Sequence, residues 1–267
     1  MALIDSPQNP RIQAALALRE RRERLASGRT IVDGARECRR AIEAGVPVET
    51  AFICRELIRT PDAEEAVLRL TADRAEVVEV SERAHDRLAF GNRGDGIVLV
   101  VRTPPTGLDA LRPGPTPMLL VIEDVEKPGN LGAILRTADG SGCDAVIAIG
   151  GTDLFNPNVV RASVGTVFTV PVASASAIEV RAWLREHGIQ ALAARVEAAS
   201  RYSEVDLTGP LAFVLGSESD GLSPAWQDAE IEGVRLPMHG VADSLNVSVA
   251  AAVLAFEARR QRDIRPR

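Results

Sequence analysis

The chain has 267 residues, 46% of them hydrophobic and 25% charged, with a formal net charge of −6. This is the composition of an ordinary globular protein of one large or two modest domains. No apolar run approaches the ~18 residues of a membrane helix. Three cysteines (Cys38, Cys54, Cys143) and three histidines (His85, His187, His239) are scattered with neither C-x-x-C nor H-E-x-x-H spacing, so neither a disulfide framework nor a metal site is expected. The N-terminal MALIDSPQNPRIQ lacks the basic segment and apolar core of a secretory signal, and a cytoplasmic protein with no membrane partner is expected.

The acidic total argues against a nucleic-acid partner, but the distribution argues for one. Residues 11–40 hold nine arginines against four acids, and the last seventeen residues hold five against two. Such asymmetry predicts a basic surface on an acidic body. An Arg-rich helix standing alone reads equally well as a solvated face. Lys127 is the single lysine beside thirty arginines, a compositional bias rather than a functional sign.

In chain order, Ile12, Ala15, Leu16, Leu18 and Leu25 recur at roughly helical spacing and predict a helix over residues 10–26. "TIVDG" reads as a strand, and residues 35–44 as a helix closed by Gly45. "VETAFIC" is a strand. Residues 62–72 form a helix with Asp62, Glu64 and Glu65 at its positive end. "AEVVEV", a Ser-capped helix "SERAHDRLAF" and "GIVLVVR" complete a small α/β domain. Residues 103–117 contain five of the sixteen prolines and predict an extended linker.

Beyond the linker the strands are near-continuously apolar, as in a parallel sheet covered on both faces. "MLLVIE" leads to a helix over 130–141, then "AVIAIG", a short helix over 158–163 and "VFTVPV". A helix over 177–187, "IQALAA", "LAFVLG", "GVRLPM" and a last helix over 245–261 follow.

Ligands of open α/β sheets bind beyond the carboxyl ends of strands. Three loops occupy such ends: "EDVEKPGNLGAILRT" after the strand at 118–123, "LGSESDGLS" (215–223) and "LPMHGVADSLNVSVA" (236–250). Singly each reads as a turn. "GSESDGLS" has phosphate-loop glycine spacing but Leu222 in place of the lysine; there is no G-x-G-x-x-G and no G-x-S-x-G elbow.

In combination and in this order, E-x-x-x-x-P-x-N-x-G-x-x-x-R (Glu123–Arg136), L-G-x-E-x-x-G (Leu215–Gly221) and P-M-x-G-x-x-x-S-L-N-V-S-V-A (Pro237–Ala250) resemble the three motifs of the SpoU/TrmH family of RNA ribose methyltransferases, in the SPOUT superfamily. The resemblance covers Met118–Arg262. Residues 6–45 resemble the ribosomal-protein-like substrate domain found ahead of the catalytic domain in many rRNA members, with Asp33-Gly34 where the family often has Glu-Gly.

This resemblance implies an α/β fold in two parts. A smaller N-terminal RNA substrate-binding α/β domain (1–103) would be joined by the Pro-rich linker (104–117) to a trefoil-knotted, parallel-sheet methyltransferase domain (118–267) that also forms a homodimer. General rules against threaded chains would not have predicted a knot. The resemblance further implies S-adenosylmethionine, bound against Leu215, Gly216, Glu218, Gly221, Leu236, Met238, Ser244, Leu245 and Asn246, and no metal. Arg136 aligns with the motif-one arginine. Its guanidinium is effectively always protonated, so holding a phosphate and stabilising an alkoxide suit it better than acting as a base. Asn130, Glu218, Ser244 and Asn246 complete the implied catalytic set, with Ser244 also a candidate N-cap of the last helix. Arg11, Arg19, Arg21, Arg22, Arg24, Arg29 and Lys127 are the candidate RNA contacts.

The implied reaction is 2′-O-ribose methylation, most readily of large-subunit (23S) ribosomal RNA, because minimal tRNA members lack the N-terminal domain. The alternatives are a tRNA 2′-O-methyltransferase, a non-catalytic knotted RNA-binding module and a small-molecule methyltransferase of Rossmann type. The missing glycine signature disfavours the last.

Overall fold

The helix expected over residues 10–26 is two helices, α1 (Pro10–Ala17) and α2 (Arg21–Ser27), in a computed structural model that describes residues 3–70, 75–90, 94–217, 220–228 and 231–264. Asn9 caps α1 by accepting from the Arg11 amide, and Pro10 fits the first turn, where no amide donor is needed. Arg24 explains the break. It is only 4% exposed, and its Nη1 donates to the carbonyls of Leu18 (2.8 Å) and Arg19 (2.7 Å), which terminate α1. Arg24 therefore closes a turn and does not face a partner, contrary to its assignment as an RNA contact.

The chain divides into two compact units, Met1–Pro104 with Phe155–Thr169, and Pro105–Leu154 with Val170–Arg267. The first continues through β1 (Arg29–Asp33), α3 (Ala35–Glu43), β2 (Val48–Ile53), α4 (Pro61–Leu70), β3 (Glu76–Glu79), α5 (Glu82–Leu88) and β4 (Ile97–Arg102). Of the helix expected over 62–72, residues 71 and 72 lie outside the described residues. The four strands order as β1-β4-β2-β3; β4 runs antiparallel to both neighbours and β3 parallel to β2. Ile12, Ile31, Phe52, Val78, Leu88 and Val98 form its core.

The second unit runs through β5 (Met118–Glu123), α6 (Pro128–Ser141) and β6 (Ala145–Ile149). Helix α7 (Pro157–Ala162) then groups with the first unit and not with the 118–267 domain that the sequence predicts. There the Thr30 hydroxyl donates to the Phe155 carbonyl (2.8 Å) and Arg40 to that of Val164 (2.7 Å). The chain returns as β7 (Val172–Ala175), α8 (Ala177–Glu186), β8 (Gln190–Ala194), β9 (Ser200–Arg201), β10 (Leu211–Leu215), β11 (Glu232–Arg235) and α9 (Val247–Ile264). These seven strands order as β7-β6-β5-β10-β8-β11-β9, parallel at every pairing.

Two expectations change. "VFTVPV" is not a strand: Thr166–Phe168 is a single 3₁₀ turn, and β7 begins only at Val172. Turn bonds from Phe168 to Gly165 and from Thr169 to Thr166 consume the donors a ladder would need. The Pro-rich segment is not a free linker either. Leu108–Ala110 makes a 3₁₀ turn, and Leu111 joins Leu119, Ile147 and Trp183 in the core of the second unit.

Helix α9 packs along α6 and ties the unit together at its basic end. Arg259 donates from Nε to Ser141 O (2.8 Å) and from Nη2 to Gly142 O (3.0 Å), placing a cation at the carbonyl end of α6. Arg262 donates to Leu207 (3.2 Å), Thr116 (2.9 Å), Pro117 (3.2 Å) and Gly209 (2.7 Å), the carbonyls that lead into β5 and β10. Two of the C-terminal arginines thus serve the fold and not a basic surface. Arg262→Met should lower unfolding stability by roughly 2–4 kcal/mol, measured by urea denaturation, because four carbonyls lose a charged donor. A loss under about 0.5 kcal/mol would contradict this role.

Burial pushes the Cys143 thiol up to about 11. Above its unfolded pKa near ~8.5 the unfolded chain releases a proton that the folded chain retains, so stability should fall as pH rises from about 8.5 to 11. Denaturation midpoints across this range should fall less steeply in Cys143→Ala than in the wild type.

Candidate functional site

β10, β8 and β11 are adjacent and parallel, so their carboxyl ends open on one edge of the sheet. A cavity of about 220 Å³ forms there, just below the ~300–1,000 Å³ usual for ligand pockets. Leu215, Gly216 and Gly221 line it from the second loop, and Leu236, Met238, Ser244 and Leu245 from the third. Seven of the nine expected cofactor contacts therefore meet around one cavity. Glu218 lies outside the described residues. Asn246 does not line the cavity.

The floor requires glycine. Gly216 follows directly on β10, and a Cβ there would meet the Gly221 carbonyl oxygen at 2.1 Å. Gly221 itself takes a left-handed φ of 66°, and its amide donates to Ser217 (3.2 Å) to close the turn. Bare backbone is thus presented to the cavity while leucine, valine and methionine side chains wall it.

What holds this loop is Glu123, the last residue of β5. Its side chain is 4% exposed, and its carboxylate accepts from the Ser223 amide (2.8 Å), the Ser223 hydroxyl (2.8 Å) and Trp226 Nε1 (3.3 Å). A buried carboxylate is tolerable only when so bonded. Glu123 opened the first motif but was not among the expected site residues, because its partners are a hundred positions away.

The third loop ends in an N-cap, supplied by Asn246 rather than Ser244. Asn246 Oδ1 accepts from the Ser248 amide (3.0 Å) and hydroxyl (2.6 Å), and its carbonyl accepts from Val249 and Ala250. Its Nδ2 donates to Asn130 Oδ1 (3.1 Å) in the first turn of α6. The first and third loops therefore meet through two expected residues, Asn130 and Asn246. Arg136 is exposed two turns further along α6, and no hydrogen bond joins it to the other loops among the described residues. Lys127 is exposed at the N-cap position without a side-chain capping bond.

The candidate RNA arginines divide by geometry. Arg19 donates to the carbonyls of Arg87, Leu88 and Ala89 at the end of α5 and stacks 4.2 Å over Phe90, and burial pulls its pKa below the ordinary value. Arg11 pairs with Glu76 (2.8 Å) and Arg29 with Glu49 (2.7 Å) at the surface. Arg21 and Arg22 remain as exposed side chains on α2. No group of His, Cys, Asp and Glu among the described residues could hold a metal, and no described helix is long and apolar enough to cross a membrane.

The sequence profile of the SpoU rRNA Methylase family matches residues 117–256, just over half the chain and all three loops. The chain belongs to the SpoU rRNA methylase family. Residues 9–98 match the MRM3-like substrate binding domain. A 23S rRNA (uridine(2479)-2′-O)-methyltransferase of Streptomyces viridochromogenes is 30% identical over 96% of this chain and 91% of its own length. A crystal structure of an RNA 2′-O ribose methyltransferase is 40% identical, with TM-score 0.84, covering 98% of this chain and all of that one. An AdoMet-bound rRNA methyltransferase from Sinorhizobium meliloti is 28% identical, with TM-score 0.88, covering 97% of each chain.

In this SpoU-family chain the cavity suits a nucleoside cofactor on its own terms, with apolar walls for a purine and bare backbone for hydrogen bonding. Residues after β8 also line it, namely Arg195 and Val196, together with Asp243 of the third loop. Only the strand order reveals the first two, since nothing in "IQALAARVE" marks a site. Glu123→Gln removes the charge and half the acceptor capacity. It should lower stability by about 2 kcal/mol and speed hydrogen exchange at the Ser223 amide. Unchanged exchange at Ser223 would contradict the anchoring role of Glu123.

Proposed function

We propose that this chain is an S-adenosylmethionine-dependent ribose 2′-O-methyltransferase of ribosomal RNA, acting in the cytoplasm on the large-subunit (23S) RNA. The observation that carries the reading is the meeting of all three loops: an apolar cavity floored by Gly216 and Gly221, bounded by the third loop, with that loop bonded through Asn246 to Asn130 on the helix bearing Arg136. Similarity to 23S rRNA enzymes across nearly the whole chain, N-terminal unit included, favours ribosomal RNA over tRNA.

When bound, S-adenosylmethionine supplies a methyl group made electrophilic by its sulfonium. Leu215, Leu236, Met238 and Leu245 would exclude water from its nucleoside end, and the backbone at Gly216 and Gly221 would offer it hydrogen-bonding groups. Arg136 is exposed, and among the described residues no hydrogen bond or ion pair engages its donor fork. Its permanent charge holds an RNA phosphate and stabilises the developing 2′-alkoxide, which makes loss of the hydroxyl proton less costly. Asn130 and Asn246 fix the start of α6 against α9, and Glu218 acts within the second loop. Ser244, exposed on the cavity rim, orients cofactor or substrate.

The second unit forms the trefoil-knotted SPOUT domain, and residues 1–103 bind the RNA through Arg21 and Arg22, with contributions from Arg11, Arg29 and Lys127. The enzyme works as a homodimer. Supporting this, α9 leaves Val249 (47% exposed) and Phe256 (51% exposed) uncovered at i and i+7, an apolar stripe suited to a second copy.

Calorimetry with S-adenosylmethionine, paired with methyl transfer to 23S rRNA, tests the assignment. Arg136→Ala should keep cofactor affinity within about twofold and lose transfer by roughly 10²–10³-fold. Near-wild-type transfer would refute the role of Arg136. Absence of cofactor binding, with or without RNA, would leave a non-catalytic RNA-binding module.

A further inference from the structure

Arg195 lies immediately beyond β8 and is one of the residues that line the cavity. Its backbone is fixed, with the amide donating to Val234 of β11 (3.0 Å) and the carbonyl accepting from Ala198 (3.4 Å). Yet Nε and Nη2 are buried with no hydrogen-bond partner among the described residues. A guanidinium carries its charge at every accessible pH, and leaving its donors buried and unpaired is among the costlier faults a folded chain can hold. In a residue that lines a ligand cavity, such a guanidinium gains its missing acceptor when an anionic ligand draws it to the cavity surface.

The inference rests on the proposed cofactor and asks which part of it Arg195 meets. S-adenosylmethionine has a single anionic group, the carboxylate of its amino-acid arm; its ammonium and sulfonium are cationic and would be repelled. A carboxylate also matches the two-pronged donor geometry of a guanidinium. Asp243 lines the same cavity, is exposed, and forms no ion pair among the described residues. One unpaired cation and one unpaired carboxylate on a single cavity are complementary to a zwitterion. We infer that Arg195 is a cofactor-recognition residue that binds the amino-acid carboxylate, with Asp243 facing the ammonium. Arg195 thereby selects cofactors bearing an intact amino-acid arm over nucleosides that lack it.

The test is calorimetry on the full chain with two probes that share the nucleoside and thioether, S-adenosylhomocysteine and 5′-methylthioadenosine; only the first has the amino-acid arm. Arg195→Met, which retains most of the side-chain volume, should weaken S-adenosylhomocysteine by about ten- to hundredfold and leave 5′-methylthioadenosine within about twofold. Should Arg195→Met lower the melting temperature enough to obscure binding, Arg195→Lys is read in its place. It keeps the charge but loses the fork, and an approximately tenfold weakening confined to S-adenosylhomocysteine is expected. Equal weakening of both probes would overturn the assignment by placing Arg195 at the nucleoside end or in the cavity frame. Unchanged affinity for S-adenosylhomocysteine would overturn it outright. A wild-type chain that binds neither probe would instead refute the cofactor reading itself, which separates the two failures.

Discussion

A carboxylate at the end of a buried strand is costly unless something comes to meet it, and Glu123 makes that cost organise the site. β5 lies inside the seven-stranded sheet, paired with β6 on one side and β10 on the other, so its carboxyl end cannot reach bulk water easily. Three donors from Ser223 and Trp226 satisfy the charge. In doing so they pull the segment after β10 back over the end of β5. Ser217 and Gly221 are bridged between β10 and the anchored Ser223, and Gly216 and Gly221 bring backbone to the cavity there. An apolar residue at position 123 would remove the burial cost, but also the reason for the loop to return.

Helix α9 does the complementary work from the other end of the chain. Its N-cap asparagine is simultaneously the bond to the first turn of α6, while Arg259 occupies the last turn of that helix. One helix is therefore bonded to both termini of another, and Arg262 joins the same helix to the entries of β5 and β10. The relative placement of Arg136 and the cavity follows from this pairing, since α6 carries the first and α9 begins at the rim of the second. Helix α9 buries small residues, Ala251, Ala255 and Ala258, on its inner face, while Phe256 lies against Gly140 of α6.

Arginine has two different uses here. A guanidinium has five donors in a fixed plane, which suits it to collect several carbonyls at a chain reversal, and Arg19, Arg24, Arg259 and Arg262 all do this. Charge counting along the sequence cannot separate these from the arginines left in solvent, such as Arg21, Arg22 and Arg136. The basic segments are consequently less available to a polyanion than their counts suggest, and the exposed cations are correspondingly more informative.

Local pattern was enough for much of this protein. Alternating apolar strands and capped helices set the α/β class, and the glycines, asparagines and arginine of the three loops carried the family resemblance in their order and spacing. These features are legible because they depend on residues close together in the chain. The failures were of the opposite kind. "VFTVPV" has strand composition, but turn bonds took its donors; Leu111, within a proline-rich stretch, found a core to join; Asn246 rather than Ser244 closed α9. Arg195 carried no local mark and Glu123 only its place at the head of the first motif, because a buried carboxylate and an unpaired guanidinium become significant only through what surrounds them. The strand order β10-β8-β11 brought residues from three distant segments to one edge, and that adjacency depends on packing that no local window of sequence contains.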